Sequence, residues 1–121
     1  EFLGAVPRSR LIEEQLKAQI HYYPFSRAVQ EELFCLAVAE SQVAGVLPIS
    51  SADGALETTN MGVVIDGYAK DPNTQAHFIE KVVEYLRKPE LPEIQKSLQE
   101  KAKKRFSLDN ILKQWDEKVF K

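Results

Sequence analysis

Residues Ile20–Ser50 read IHYYPFSRAVQEELFCLAVAESQVAGVLPIS, and the spacing of apolar side chains along them decides the fold. Ile20–Phe25 is aromatic and β-prone and suits a strand, with Pro24 marking its end or an unpaired position. After a polar loop, Leu33–Ala44 is rich in small and apolar residues and stops at Gly45, where a helix places its C′ glycine. Val46–Ser50 is a short apolar run of strand character. A strand, a helix of about ten residues and another strand predict a βαβ unit, whose strands must run parallel.

The flanks extend this unit. Glu1–Val6 (EFLGAV) is an apolar run closed by Pro7 and is expected to form a strand, with Ser9 capping a helix that carries Leu11, Ile12 and Leu16. Downstream, the turn Ala52-Asp53-Gly54 leads towards a fourth expected strand, Gly62–Asp66 (GVVID). From Pro72 onward the pattern is helical. Phe78, Ile79, Val82, Val83 and Leu86 form one stripe ended by Pro89, and Pro92 opens a helix with Ile94 and Leu98. Ser107 caps a last helix whose Leu108, Ile111, Leu112, Trp115 and Val119 recur at helical spacing. The expected architecture is a small parallel α/β sheet of about four strands with a helical tail, forming one domain over residues 1–121.

Composition narrows the function. The 16 Lys+Arg against 18 Asp+Glu leave a net charge of −2, without the basic excess that phosphate contacts to nucleic acid require, so no nucleic-acid partner is expected. Cys35 is the only cysteine and excludes an internal disulfide, which favours a reducing, cytoplasmic setting. No apolar run is long enough for a transmembrane segment. There is no G-x-G-x-x-G, no P-loop and no C-x-x-C, so glycine-built phosphate loops and common zinc sites are not expected, and no metal is anticipated. The chain opens on Glu1 and its only methionine is Met61, so it reads as a processed product, an excised domain or the ordered part of something longer.

Within Gln30–Gly45, Glu32 and Glu40 are eight residues apart. If that whole span were helical they would lie within about 80° of each other and about 12 Å apart along the axis. The span begins where a strand hands over to a helix, the place where parallel α/β sheets bind ligands and where unpaired helix amides suit a phosphate. Two carboxylates flanking an anion site match a ligand with hydroxyl-bearing rings on either side of a diphosphate, which describes a nucleotide sugar. The same spacing also fits a first-turn acid at Glu32 and a surface acid at Glu40. Ala37, Val38, Ala39, Val43 and Ala44 surround Glu40, and an apolar layer there would oblige its carboxylate to find partners.

The ordered set FLGAVP, PFS, the E-x7-E helix, AGVLP, GALETT, GVVI and KKRFSLDNILKQW resembles the C-terminal part of a GT-B glycosyltransferase, and more narrowly the retaining glycosyltransferase family 4. The similarity runs collinearly over essentially all 121 residues. It implies a Rossmann-like domain that binds a nucleotide-diphosphate-sugar donor, with an N-terminal acceptor domain supplied elsewhere in the same protein and no further cofactor. By position, the resemblance implies that Glu32 contacts the donor sugar, that backbone amides at Phe34, Cys35 and Leu36 face the diphosphate, and that Glu40 binds the ribose. Val6, in the loop Gly4–Pro7, would lie beside the nucleobase, and the loop Ser50–Gly54 would border the sugar end. An Arg/Lys pair assisting the diphosphate lies upstream of the FLG strand in such proteins, so these 121 residues alone are expected to be inactive. Many members have E-G-F-G or E-P-F-G where this chain has Glu32-Leu33-Phe34-Cys35.

Other residues point to packing. Cys35 as a nucleophile has no His near it in sequence. His21 and His77 lack metal-site spacing and are expected to be structural, as is Trp115 on its apolar stripe, part of which the resemblance would place against the missing domain. Lys101–Arg105 suits a solvated helix end. The alternative to an enzyme is a non-catalytic α/β interaction module with a degenerate nucleotide pocket. A flavodoxin-like receiver is disfavoured by the missing acidic cluster and distal lysine.

Overall fold

A computed structural model describes residues 1–26 and 32–120. In chain order its elements are α1 (Arg8–Lys17), β1 (Ile20–Tyr23), α2 (Leu36–Val43), β2 (Leu47–Ser51), α3 (Leu56–Thr59), β3 (Val63–Ile65), α4 (Pro72–Arg87), α5 (Leu91–Arg105) and α6 (Leu108–Lys118). The three strands form a parallel sheet in the order β1-β2-β3, with Ile20 beside Leu47 and Ile49 beside Val63. This is the expected α/β architecture, a small parallel sheet flanked by helices with a helical tail. Among the described residues it has three strands, where about four were expected. The missing one is Glu1–Val6: Gly4 adopts φ +67°, outside the extended region, and Phe2 and Leu3 lie exposed with no neighbouring strand to complete a ladder.

Local chemistry explains the remaining shifts of boundary. α1 starts at Arg8, with Pro7 at the N-cap and no side-chain cap, so Ser9 sits inside the first turn and does not cap the helix. The Pro7 carbonyl accepts from Leu11 N at 3.1 Å, and the ring holds its own φ at −60°. α2 starts three residues later than its apolar pattern suggests, with Cys35 at the N-cap. Its end matches the expectation: Gly45 N donates to Gln42 O and Val46 N to Ser41 O, the paired bonds of a Schellman motif. α4 is capped by Asp71, which accepts from Asn73 N and Thr74 N, and α6 by Ser107, which accepts from Asn110 N.

One face of the sheet packs Ile49 and Ile65 against Phe78 of α4, with Ile20, Val63, Val82 and Tyr85 around them. Full burial of a ring like Phe78 contributes about 1.5–3 kcal/mol. Leu47 meets Leu91 and Leu98 of α5. On the other face, Cys35 and Val38 of the α2 segment pack with Leu56, Tyr23 and Phe25. A buried polar layer joins α2 to the loop before β3. Gln42 Nε2 donates to Val38 O and Thr59 O, its Oε1 accepts from Met61 N, and Asn60 Nδ2 donates to Ser50 Oγ and Val63 O. The helical tail differs from expectation at one point: among the described residues α6 buries none, and Trp115, expected in packing, is 52% exposed, with the Phe120 ring 6.0 Å from its own.

Candidate active site

The strands end at Tyr23, Ser51 and Ile65 on one edge of the sheet, and the loop after β2 and the approach to α2 meet there. Ala55 N donates to Glu32 O at 2.8 Å. Gly54 sits against the same carbonyl at φ +57°; a Cβ there would lie 2.6 Å from Glu32 O, so both conformation and space require glycine. Glu32 is therefore fixed by its main chain to the loop after β2. Its carboxylate is also fixed, since the Tyr23 hydroxyl donates to Oε2 at 3.1 Å. Burial raises the Tyr23 pKa, and neighbouring Cys35 and Glu32 add to that, so the phenol keeps its proton and acts as donor.

Glu32 precedes α2 and Glu40 lies within it, so the two carboxylates are not related by a continuous helix as their spacing suggested. Glu40, about a third exposed, accepts from Arg8 at 2.5 Å. That ion pair is the partner its apolar surroundings demanded, and it ties the start of α1, just after the half-buried Val6, to α2. Between Glu32 and Glu40 the first turn of α2 presents the amides that no intrahelical carbonyl can satisfy, and Cys35 supplies no side-chain cap. The Cys35 side chain is buried against Val38 and Leu56. Phe34 and Leu36 are exposed, and Phe34 meets Phe106 edge-on at 6.2 Å.

A cleft of about 520 Å³ runs past these groups, lined by Arg8, Ile12, Phe34, Leu36, Ala39, Glu40, Phe106 and Ile111 among others. Its size and mostly apolar walls with a few polar groups suit a small organic ligand. Gln30 and Glu31, at the head of the stretch that carries the E-x7-E spacing, lie outside the described residues. Of the loop Ser50–Gly54, the two hydroxyls are committed to the fold: Ser50 accepts from Asn60, and Ser51 Oγ accepts from Phe25 N and donates to Phe25 O.

Tyr23 and Arg8 were not singled out in the sequence. The available signal was position alone: Tyr23 is the last residue of a strand leading into the α2 loop, and Arg8 opens the helix after the Gly4–Pro7 loop. The histidines are structural or peripheral. Ser41 Oγ donates to Val38 O, so at 3.0 Å it accepts from His21 Nδ1, and burial lowers the His21 pKa and keeps the ring neutral. His77 is exposed on α4. Lys103, Lys104 and Arg105 form the exposed last turn of α5, as expected of a solvated helix end. Among the described residues no three His, Cys, Asp or Glu side chains gather as a metal site, and no helix is long and apolar enough to cross a membrane.

The family model described as "Glycosyl transferases group 1" matches residues 1–105. No curated protein and no solved structure gives a significant match. α6 lies beyond the matched stretch, whereas the sheet, the α2 segment and the cleft's polar residues fall within it. The chain belongs to the group 1 glycosyltransferase family.

Proposed function

We propose that this chain forms the donor-binding side of a retaining glycosyltransferase of family 4, which moves a sugar from a nucleotide-diphosphate donor to an acceptor held by an N-terminal domain. The observation that carries this reading is the arrangement around α2. Glu32 is anchored before the helix, Glu40 faces a cleft from within it, and the uncapped first turn lies between them. Glu32 receives hydroxyls of the sugar, the amides of Phe34, Cys35 and Leu36 receive the diphosphate, Glu40 receives the ribose, and Val6 lies beside the base.

The chemistry follows from charge. As the glycosidic bond to the diphosphate breaks, negative charge grows on the leaving group, and oriented amides at a helix N-terminus stabilise it without reorganising. Glu32 orients the sugar and is not the nucleophile. Glu40 exchanges Arg8 for the ribose hydroxyls, a change favoured by the small worth of an exposed ion pair, about 0–1 kcal/mol. The inward packing of Cys35 supports the same reading, because replacing the family's glycine there adds bulk to the core contact with Val38 and Leu56.

The test uses the longest natural chain containing these residues, incubated with UDP-glucose, UDP-N-acetylglucosamine, GDP-mannose and ADP-glucose. Proton NMR of the first sugar released or transferred is expected to show the donor's anomeric configuration. An inverted first product overturns the retaining mechanism, and failure of all four donors to bind overturns the donor-binding role.

A further inference from the structure

Tyr23 stands at the end of β1 with its orientation determined from behind. Its ring lies over Phe25 at 6.3 Å with the planes 4° apart. Phe25 is held in turn by Ser51 Oγ, which bonds both its amide and its carbonyl at 2.7 Å. The phenol hydroxyl then reaches Glu32 Oε2 at 3.1 Å, while Ala55 N holds the main chain of the same residue. A glutamate on a loop ordinarily loses considerable rotamer freedom when it engages a ligand. Here much of that ordering is present before any ligand arrives.

We propose that Tyr23 is a positioning residue that holds the Glu32 carboxylate ready for the hydroxyls of the donor sugar, an inference that rests on the donor-binding role given to Glu32 above. A carboxylate has about four acceptor positions, so accepting one phenol O–H leaves it capacity for sugar hydroxyls. Pre-ordering acts where the sugar is placed for reaction, and the nucleotide half of the donor, held by Glu40 and the α2 amides, is untouched by it. Burial of the phenol keeps its proton in place through neutral pH, so the contact persists under working conditions. Phenylalanine in the same position would keep the stack on Phe25 and lose only the hydrogen bond.

The experiment compares Tyr23→Phe, Glu32→Gln and Tyr22→Phe in the longest natural chain. Steady-state kinetics use UDP-glucose, UDP-N-acetylglucosamine, GDP-mannose and ADP-glucose, and calorimetry uses UDP and GDP alone. Tyr23→Phe is expected to lower kcat about tenfold, the size of one lost hydrogen bond to a charged group. Nucleotide affinity should change less than about twofold. Tyr22→Phe, on the opposite face of the strand against Phe78, should leave the kinetics unchanged. Full kcat in Tyr23→Phe, or a loss of kcat matched by an equal loss of nucleotide affinity, beside an impaired Glu32→Gln, overturns the positioning role and leaves the donor reading standing. Full activity in Glu32→Gln, or no turnover of any of the four donors, overturns the donor reading and this inference with it.

Discussion

α2 and α6 solve opposite problems. α2 mixes apolar and polar residues around its circumference, yet buries Val38, Ala39, Ser41 and Gln42. α6 segregates Leu108, Ile111, Leu112, Trp115 and Val119 onto one stripe, yet buries none of them. The difference lies in where the chain carries each helix. α2 connects two neighbouring parallel strands and must lie on the sheet, so its polar residues are buried and have to be satisfied there. α6 follows the last turn of α5, packs beside that helix and does not link two strands of the sheet. An amphipathic pattern identifies a helix; topology decides whether its apolar face is covered.

Breaking the buried side of this contrast should have the largest effect. Gln42→Ala removes three hydrogen bonds and leaves Thr59 O and Met61 N without the side chain that satisfies them. We expect a loss of about 3 kcal/mol in urea unfolding, and a change below about 0.5 kcal/mol would show that the polar layer does not hold α2 in place. Ser107→Ala, which deletes the cap of α6, is expected to cost about 1 kcal/mol in the same measurement. Trp115→Ala on the open stripe is expected to change stability by about 0.5 kcal/mol or less. A loss above about 2 kcal/mol would place Trp115 in a packed environment and erase the distinction between the two helices.

How far the sequence carried the fold can be judged from the same elements. β2 and the Schellman end of α2 were legible, because a short apolar run and a glycine after a helix are local signals. So were the Ser107 cap and the helices opened by Pro72 and Pro92. Glu1–Val6 was misjudged because a strand needs a neighbour to bond, and local apolarity cannot supply one. The start of α2 was misplaced because Glu32 and Leu33 have helix-compatible side chains, while the Ala55 bond to Glu32 O holds that backbone elsewhere. Glu32 and Glu40 were singled out by their spacing and by the resemblance together, although the continuous helix considered for that spacing is absent. Their partners Tyr23 and Arg8 were invisible, since contacts 9 and 32 residues apart leave no local pattern.

Under the proposed function, the α2 edge holds a nucleotide through Glu40. Calorimetry of UDP and GDP against the longest natural chain, with and without Glu40→Ala, tests it most directly. We predict that at least one nucleotide binds and that Glu40→Ala weakens it by about 1.5–3 kcal/mol, the worth of hydrogen bonds to a charged group. No binding to the parent chain, or equal affinity in Glu40→Ala, would contradict the account.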